Sequence, residues 1–377
     1  EIFVGTGEGA ILRLDLQDPA LSFEVLVRDE RLAIIDVAVA QNTIVLGTTA
    51  GLVTITGDFI EGGPLWLTQG EQLDIKTQVF SNPFGPDADR SVRVTALDSG
   101  RVLVWSTKEP GIAVLNVSEA RLESLQFPLS APLLNVDVTG RVIAAVDNLG
   151  NATLINAIPV VLESSDRSRL GNVEIDTKLE TAFTVRLSGA TDVVAGDREG
   201  EPALIAALSN FGTKRPSVVS IAISTGETVA LPNSSSFVYD LAYSSQMEKL
   251  FFIGVRGGRN TGTTLTWLDG RELDQSRALF VSSDEDIHAS VVLEEEVGRV
   301  FFSLGGRVRL WDGQAIRMLA QTGRQARRLA VHRSRVYAVN ADGTLSVWSA
   351  DKLTHGIDLH VWQNFEWLVT SSDRYWT

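Results

Sequence analysis

The residues best suited to proton transfer or metal ligation in this chain are its four histidines, His288, His332, His355 and His360. His355 and His360 stand five positions apart, which misses the helical i, i+4 spacing of a metal pair, and no matched carboxylates flank them. His288 and His332 fall at similar places in two adjacent repeat units, where two imidazoles could face a common axis. Structural histidines with satisfied hydrogen bonds are the commoner use of such positions. Asp87-Ala88-Asp89 follows a Pro/Gly-rich loop and offers oxygen ligands, but it lacks the further spaced oxygens and terminal Glu of a calcium loop. Asp284-Glu285-Asp286 and Glu294-Glu295-Glu296 read as solvated loop charge. Gly5-Thr6-Gly7-Glu8-Gly9 has the wrong glycine spacing for a nucleotide loop and reads as a hairpin turn. There is no Gly-x-Ser-x-Gly elbow. The chain has no cysteine, which removes thiolate catalysis, disulfides and zinc–cysteine sites together. No catalytic residue, cofactor or metal ligand is assigned, and the chain is expected not to be an enzyme.

Two stretches suit a partner better than a substrate. Between positions 324 and 335 five arginines gather, Arg324, Arg327, Arg328, Arg333 and Arg335. They predict a basic loop near one rim, able to grip carboxylates or phosphates through bidentate forks. Pairing with neighbouring acidic loops is the equal alternative. Trp362, Phe365, Trp367, Tyr375 and Trp376 crowd the last residues and could anchor an interface. Closing or underpinning the fold is their other use.

The elements that must carry these residues are strands. At 377 residues, 44% hydrophobic and 21% charged, the composition is that of a globular protein. No run of apolar residues is long enough to span a bilayer. The net charge of −14 disfavours nucleic acid and anionic lipid as partners. The chain begins at Glu1 on what reads as the inside of a strand, so processing or excerpting is expected to have removed what came first. Zero cysteine fits an exported protein and a cytoplasmic one alike.

Segments of four to seven residues alternate or run apolar, broken at short intervals by turn residues, with no amphipathic helix among them. In the last third a pattern recurs at blade-sized intervals: Leu265-Thr266-Trp267-Leu268-Asp269-Gly270, Arg309-Leu310-Trp311-Asp312-Gly313 and Leu345-Ser346-Val347-Trp348-Ser349. Small four-stranded sheets of this kind cannot cover both faces alone, and radial stacking covers them. The reading is an all-β propeller over residues 1–349, with insertions near 57–90 and 163–186 and an aromatic tail over 350–377. Eight units can be counted from Ile2 onward, so eight blades are expected, with seven the alternative.

With those residues in hand, the chain resembles the WD-repeat propellers. Val238-Tyr239-Asp240-Leu241-Ala242-Tyr243-Ser244-Ser245 looks like the first strand of such a repeat, and Asp342-Gly343-Thr344-Leu345-Ser346-Val347-Trp348 like its third. Only Trp311-Asp312 keeps the Trp-Asp pair, and the Gly-His pair is missing. Ile221-Ala222-Ile223-Ser224-Thr225-Gly226-Glu227 is similar to a quinoprotein-type repeat, and the tail to a segment that follows some bacterial propellers. The resemblance implies a non-enzymatic scaffold for a protein or peptide partner, possible within a multiprotein complex. The competing readings are a propeller enzyme or a small-ligand or carbohydrate binder, using channel-facing groups such as His288, His332 and Asp240.

Overall fold

The computed structural model describes residues 2–5, 11–14, 23–27, 33–49, 51–57, 75–80, 83–84, 92–125, 129–162, 174–198, 200–209, 217–231, 235–256, 262–269, 276–282, 289–304, 306–319, 324–361, 367–370 and 375–376. Strands dominate it. Among the described residues one 3-10 turn, Glu295–Val297, is the only helical element, and no helix among them is long and apolar enough to cross a membrane.

Seven sheets follow one another, each an antiparallel meander whose strands pair in chain order. We number these blades 1 to 7. Their inner strands are Ile34–Ala40, Val92–Ala96, Leu133–Thr139, Ala190–Arg198, Ser235–Ser244, Ser290–Glu294 and Ala326–His332. Each inner strand packs on the inner strand of the next blade, and that of blade 7 packs on that of blade 1. The ring is therefore closed.

Alternation explains why the blades must stack. A strand such as Ile34–Ala40 sends Val37 and Val39 to one side and Ala38 and Ala40 to the other. Both sides are apolar, so each sheet needs a neighbour on either face. Seven apolar clusters meet this need, one at each joint between adjacent blades. The closing joint joins Ile34, Val37 and Ile44 to Tyr337, Val339 and Leu345. The recurrent tryptophans lie on third strands, as their spacing predicts. Trp311 packs back onto Phe251 of blade 5 at 5.5 Å between ring centres, and Trp348 packs back onto the blade 6 core.

The eight-blade expectation is corrected to seven. Ile2–Gly5, Ile11–Leu14 and Phe23–Val27, counted from the sequence as a first blade, pair with one another as a separate three-stranded sheet. Blade 7 meets blade 1 directly through its own apolar cluster, which leaves no gap for an eighth. At that joint Gly343 has φ +78°, and a Cβ there would lie 3.0 Å from the Ala33 Cα, so only glycine fits the approach.

The segments read as insertions contribute outer strands, Ile75–Phe80 to blade 1 and Glu174–Arg186 to blade 3, while 58–74 and 163–173 lie outside the described residues. Thr354–Val361 is the outer strand of blade 7, and Trp367–Thr370 and Tyr375–Trp376 extend that sheet to six strands.

Candidate functional site: the central channel

In five inner strands the pairing with the second strand slips by one residue at the same place. The slips fall between Ile34 and Asp36, Leu133 and Asn135, Ala190 and Asp192, Val238 and Asp240, and Ala326 and Arg328. Each is a β-bulge, a device that leaves one residue unpaired and re-aims the next side chain. The re-aimed residues are Asp36, Asn135, Asp192, Asp240 and Arg328, all of which line the channel. Ser290 of blade 6 lines it too, and Arg93 holds the corresponding place in blade 2. A belt of polar groups thus rings the end of the channel where inner strands begin, called the upper mouth below.

The belt carboxylates hold blades together. Asp36 accepts from its own strand's Val37 N at 3.0 Å and from Val94 N of blade 2 at 3.3 Å. Asp192 accepts from Val193 N at 2.8 Å, from Leu241 N of blade 5 at 2.8 Å, and from Asn135 Nδ2 of blade 3. Asp240 accepts from Val291 N of blade 6 at 2.7 Å. Each carboxylate staples one inner strand to the next by satisfying an otherwise unpaired buried N–H.

Burial raises the proton affinity of two belt carboxyls, Asp192 and Asp240. Asp192 is pushed well up by loss of solvent and by the neighbouring Asp240 and Asp137. Asp240 rises for the same first reason, opposed by the Arg328 cation. Arg328 lies deep in the ring, where Asp36, Asp240 and Asp192 favour its charge against the cost of burial. Burial lowers Arg93, whose Nη1 has no hydrogen-bond partner among the described residues.

Two residues further along blade 3 lies Asp137, also in the channel wall, which burial raises to about 7. The space these residues line measures about 400 Å³. Among the described residues no three His, Asp or Glu side chains converge as a metal site would require.

The sequence-based candidates are dispersed around this frame. The five arginines occupy the inner strand of blade 7 and its flanks rather than one loop. Arg324 pairs with Asp342 and, at 3.4 Å, with Asp358. Arg327 is exposed at the upper mouth, Arg328 faces the channel, Arg333 is exposed in the turn at the far end, and Arg335 is buried. Trp362, Phe365, His288 and Asp87-Ala88-Asp89 lie outside the described residues. Trp367, Tyr375 and Trp376 belong to the two strands added to blade 7, and His355 and His360 to its outer strand. His332 makes a 3.0 Å hydrogen bond to the Gln41 carbonyl, across the closing joint. Glu294, read from the sequence as loop charge, is nearly buried and pairs with Arg299 at 2.6 Å.

Sequence reasoning named Asp240 and Arg328 but missed the belt. Its signal is present: Ile34-Ile35-Asp36-Val37, Leu133-Leu134-Asn135-Val136, Ala190-Thr191-Asp192-Val193, Val238-Tyr239-Asp240-Leu241 and Ala326-Arg327-Arg328-Leu329 share one apolar–any–polar–apolar order.

No protein-family model matches the chain, and no curated protein matches it. Solved structures do. The computationally designed Ika8 protein is similar over 91% of this chain and 97% of its own, at 16% identity and a TM-score of 0.50. Sqt1 of Saccharomyces cerevisiae is similar over 88% of this chain and 86% of its own, at 11% identity and 0.51. Virginiamycin B lyase of Staphylococcus aureus is similar over 85% of this chain and 96% of its own, at 8% identity and 0.56. Identities this low speak for fold alone: the chain is an all-β propeller, built of seven four-stranded blades with a charged, internally stapled channel.

Proposed function

We propose that this protein is a non-enzymatic, WD-repeat-like interaction scaffold that offers its upper channel mouth to a protein or peptide partner. The observation that carries the reading is the repeated bulge. Five bulges at one level put Ile35, Leu134, Thr191, Tyr239 and Arg327 outside the strand register around the mouth. Leu134 is 40% exposed there and Arg327 is exposed. Aliphatic, aromatic and arginine side chains around one opening are the types that anchor protein interfaces. The carboxylates beneath them, which an enzyme would use, are engaged as staples. An acidic surface with a net charge of −14 steers a partner bearing basic patches.

The test is a pull-down from the native source with wild-type protein and the Leu134→Glu/Arg327→Glu variant, both checked for the same melting temperature. A protein partner held in stoichiometric amount by the wild type and lost by the variant is expected. Equal recovery on both overturns the mouth as the contact surface.

A further inference from the structure

We propose that the channel below the mouth binds a small zwitterion, its carboxylate on Arg328 and its ammonium group on Asp137. The starting point is an exception. At the level of Asp137 the other six inner strands carry Ala38, Thr95, Val194, Ala242, Val292 and Ala330. Asp137 is the one charged group of that level, and it staples no neighbouring blade. Its hydrogen bonds among the described residues come from its own strand, Thr139 Oγ1 at 3.3 Å and the Val138 backbone. A carboxyl this poorly supported and half-buried in the channel wall is costly to keep.

Arg328 supplies the second, independent observation. It lines the same cavity. Asp36, Asp240 and Asp192 act on it through space, and none makes a hydrogen bond or close ion pair with it among the described residues. The planar fork is therefore open to a carboxylate, the group it matches bidentately. Blades 7 and 3 stand on opposite sides of the ring, so the two charges face one cavity from different walls. Its volume of about 400 Å³ lies within the roughly 300–1,000 Å³ of small-molecule sites.

Charge balance selects a ligand with both ends. A lone anion at Arg328 would meet Asp36, Asp192 and Asp240. A lone cation at Asp137 would leave the guanidinium unpaired. One molecule carrying a carboxylate and an ammonium group satisfies both and brings no net charge into the ring. Because burial raises Asp137 to about 7, the ammonium end should be held more tightly as the pH rises. The charged groups that line the cavity with Asp137 are Asp36, Asp192, Asp240, Glu295 and Arg328. The first three are tied into the belt, and Glu295 accepts from Ser245.

The experiment is calorimetric titration of the full chain with ω-amino acids from glycine to 6-aminohexanoate, with butylammonium and butyrate as single-charge probes. One length of the series is expected to bind at least about tenfold tighter than either control. Asp137→Asn and Arg328→Gln should each erase that margin. Should Arg328→Gln fail to fold, the wild-type pH series decides: zwitterion affinity should climb several-fold between about pH 6 and pH 8 while that of butyrate does not. A series that never exceeds the single-charge probes, a flat pH profile, or an Asp137→Asn protein that binds as wild type does overturns the proposal.

Discussion

The joint between blades 4 and 5 and the joint between blades 7 and 1 solve the same packing problem by different means. At the first, the belt residue is Asp192, whose carboxylate reaches Val193 N and Leu241 N at 2.8 Å each. At the second the belt residue is Arg328, which reaches no backbone group among the described residues. That joint is held instead from its two ends, by Ile34 N donating to the Gly343 carbonyl at 3.2 Å and by His332 bonding the Gln41 carbonyl at 3.0 Å. Between them lies the apolar cluster built on Tyr337 and Ile44. The closing joint brings together segments far apart in sequence, so its contacts must offset a large loop-closure entropy. Packing and rim bonds carry that burden, and the channel side of the joint is left with a cation that performs no stapling. The difference teaches that one strand position can be structural in one blade and available in another.

The sharpest way to break this comparison is to remove the staple. Asp192→Ala leaves the N–H groups of Val193 and Leu241 and the Asn135 amide without their acceptor, in a region where Asp192 is 2% exposed. At roughly 1–3 kcal/mol for each buried donor left unsatisfied, a loss of about 4 kcal/mol is expected. Urea unfolding followed by circular dichroism would read it as a lower midpoint at unchanged slope. A loss below about 1 kcal/mol would mean that the staples are ornamental and that joints 4/5 and 7/1 are held alike.

How much of this could be foreseen follows from where the pattern is local. Blade strands were legible because alternation and turn residues are short-range signals, and Trp267, Trp311 and Trp348 marked third strands directly. The number of blades was not. Residues 2–27 carry the same alternation as a blade, and only the meeting of Ile34 with Tyr337 and Leu345 decides where the ring closes. The belt was hidden for a different reason. A bulge shifts the phase of a strand by one residue, so strict alternation in Ile34-Ile35-Asp36-Val37 misplaces Asp36. Asp137 read as one more polar strand residue, since its isolation is visible only when seven strands are aligned on the channel.

The closing joint has its own weak point. Gly343 combines φ +78° with Ala33 backbone at 3.0 Å from any added Cβ. Gly343→Ala should therefore destabilise the ring by about 2 kcal/mol, through left-handed strain and displacement of blade 1. Thermal melting would show it. The same exchange at Gly226, with φ +72° and nothing within 4 Å, should cost less, since strain acts there without the clash.

Titration separates the two regions by sign. Asp137, raised to about 7 by burial, contributes stability that is full below its unfolded value and is lost as pH rises from about 4 to about 7. Its shift corresponds to roughly 4 kcal/mol at most, and water in the channel should reduce the observed swing to about 2. His332 at the closing joint is lowered, chiefly by burial. Its contribution is present above about pH 6.5 and is lost as the pH falls through the lowered value. Chemical denaturation across this range should give Asp137→Asn a flatter profile than wild type from pH 4 to 7. His332→Gln should lose its bond to the Gln41 carbonyl at every pH and lack the wild type's further decline on the acid side of 6.5, a difference in profile of about 0.5 kcal/mol for a half-buried ring.

The smallest effect is the most diagnostic of how the closing joint is built. Tyr337 is fully buried in the cluster that joins blades 7 and 1, and its hydroxyl has no hydrogen-bond partner among the described residues. Burial accordingly pushes its proton affinity up. Removing a polar atom from joint 4/5 should cost stability, whereas removing this one should return it, because no partner is orphaned and a desolvation penalty disappears. Tyr337→Phe is expected to raise stability by about 0.5–1 kcal/mol, read as a higher urea midpoint. A decrease of that size would show instead that the hydroxyl is engaged, and that polar bonding as well as packing holds the joint where the ring closes.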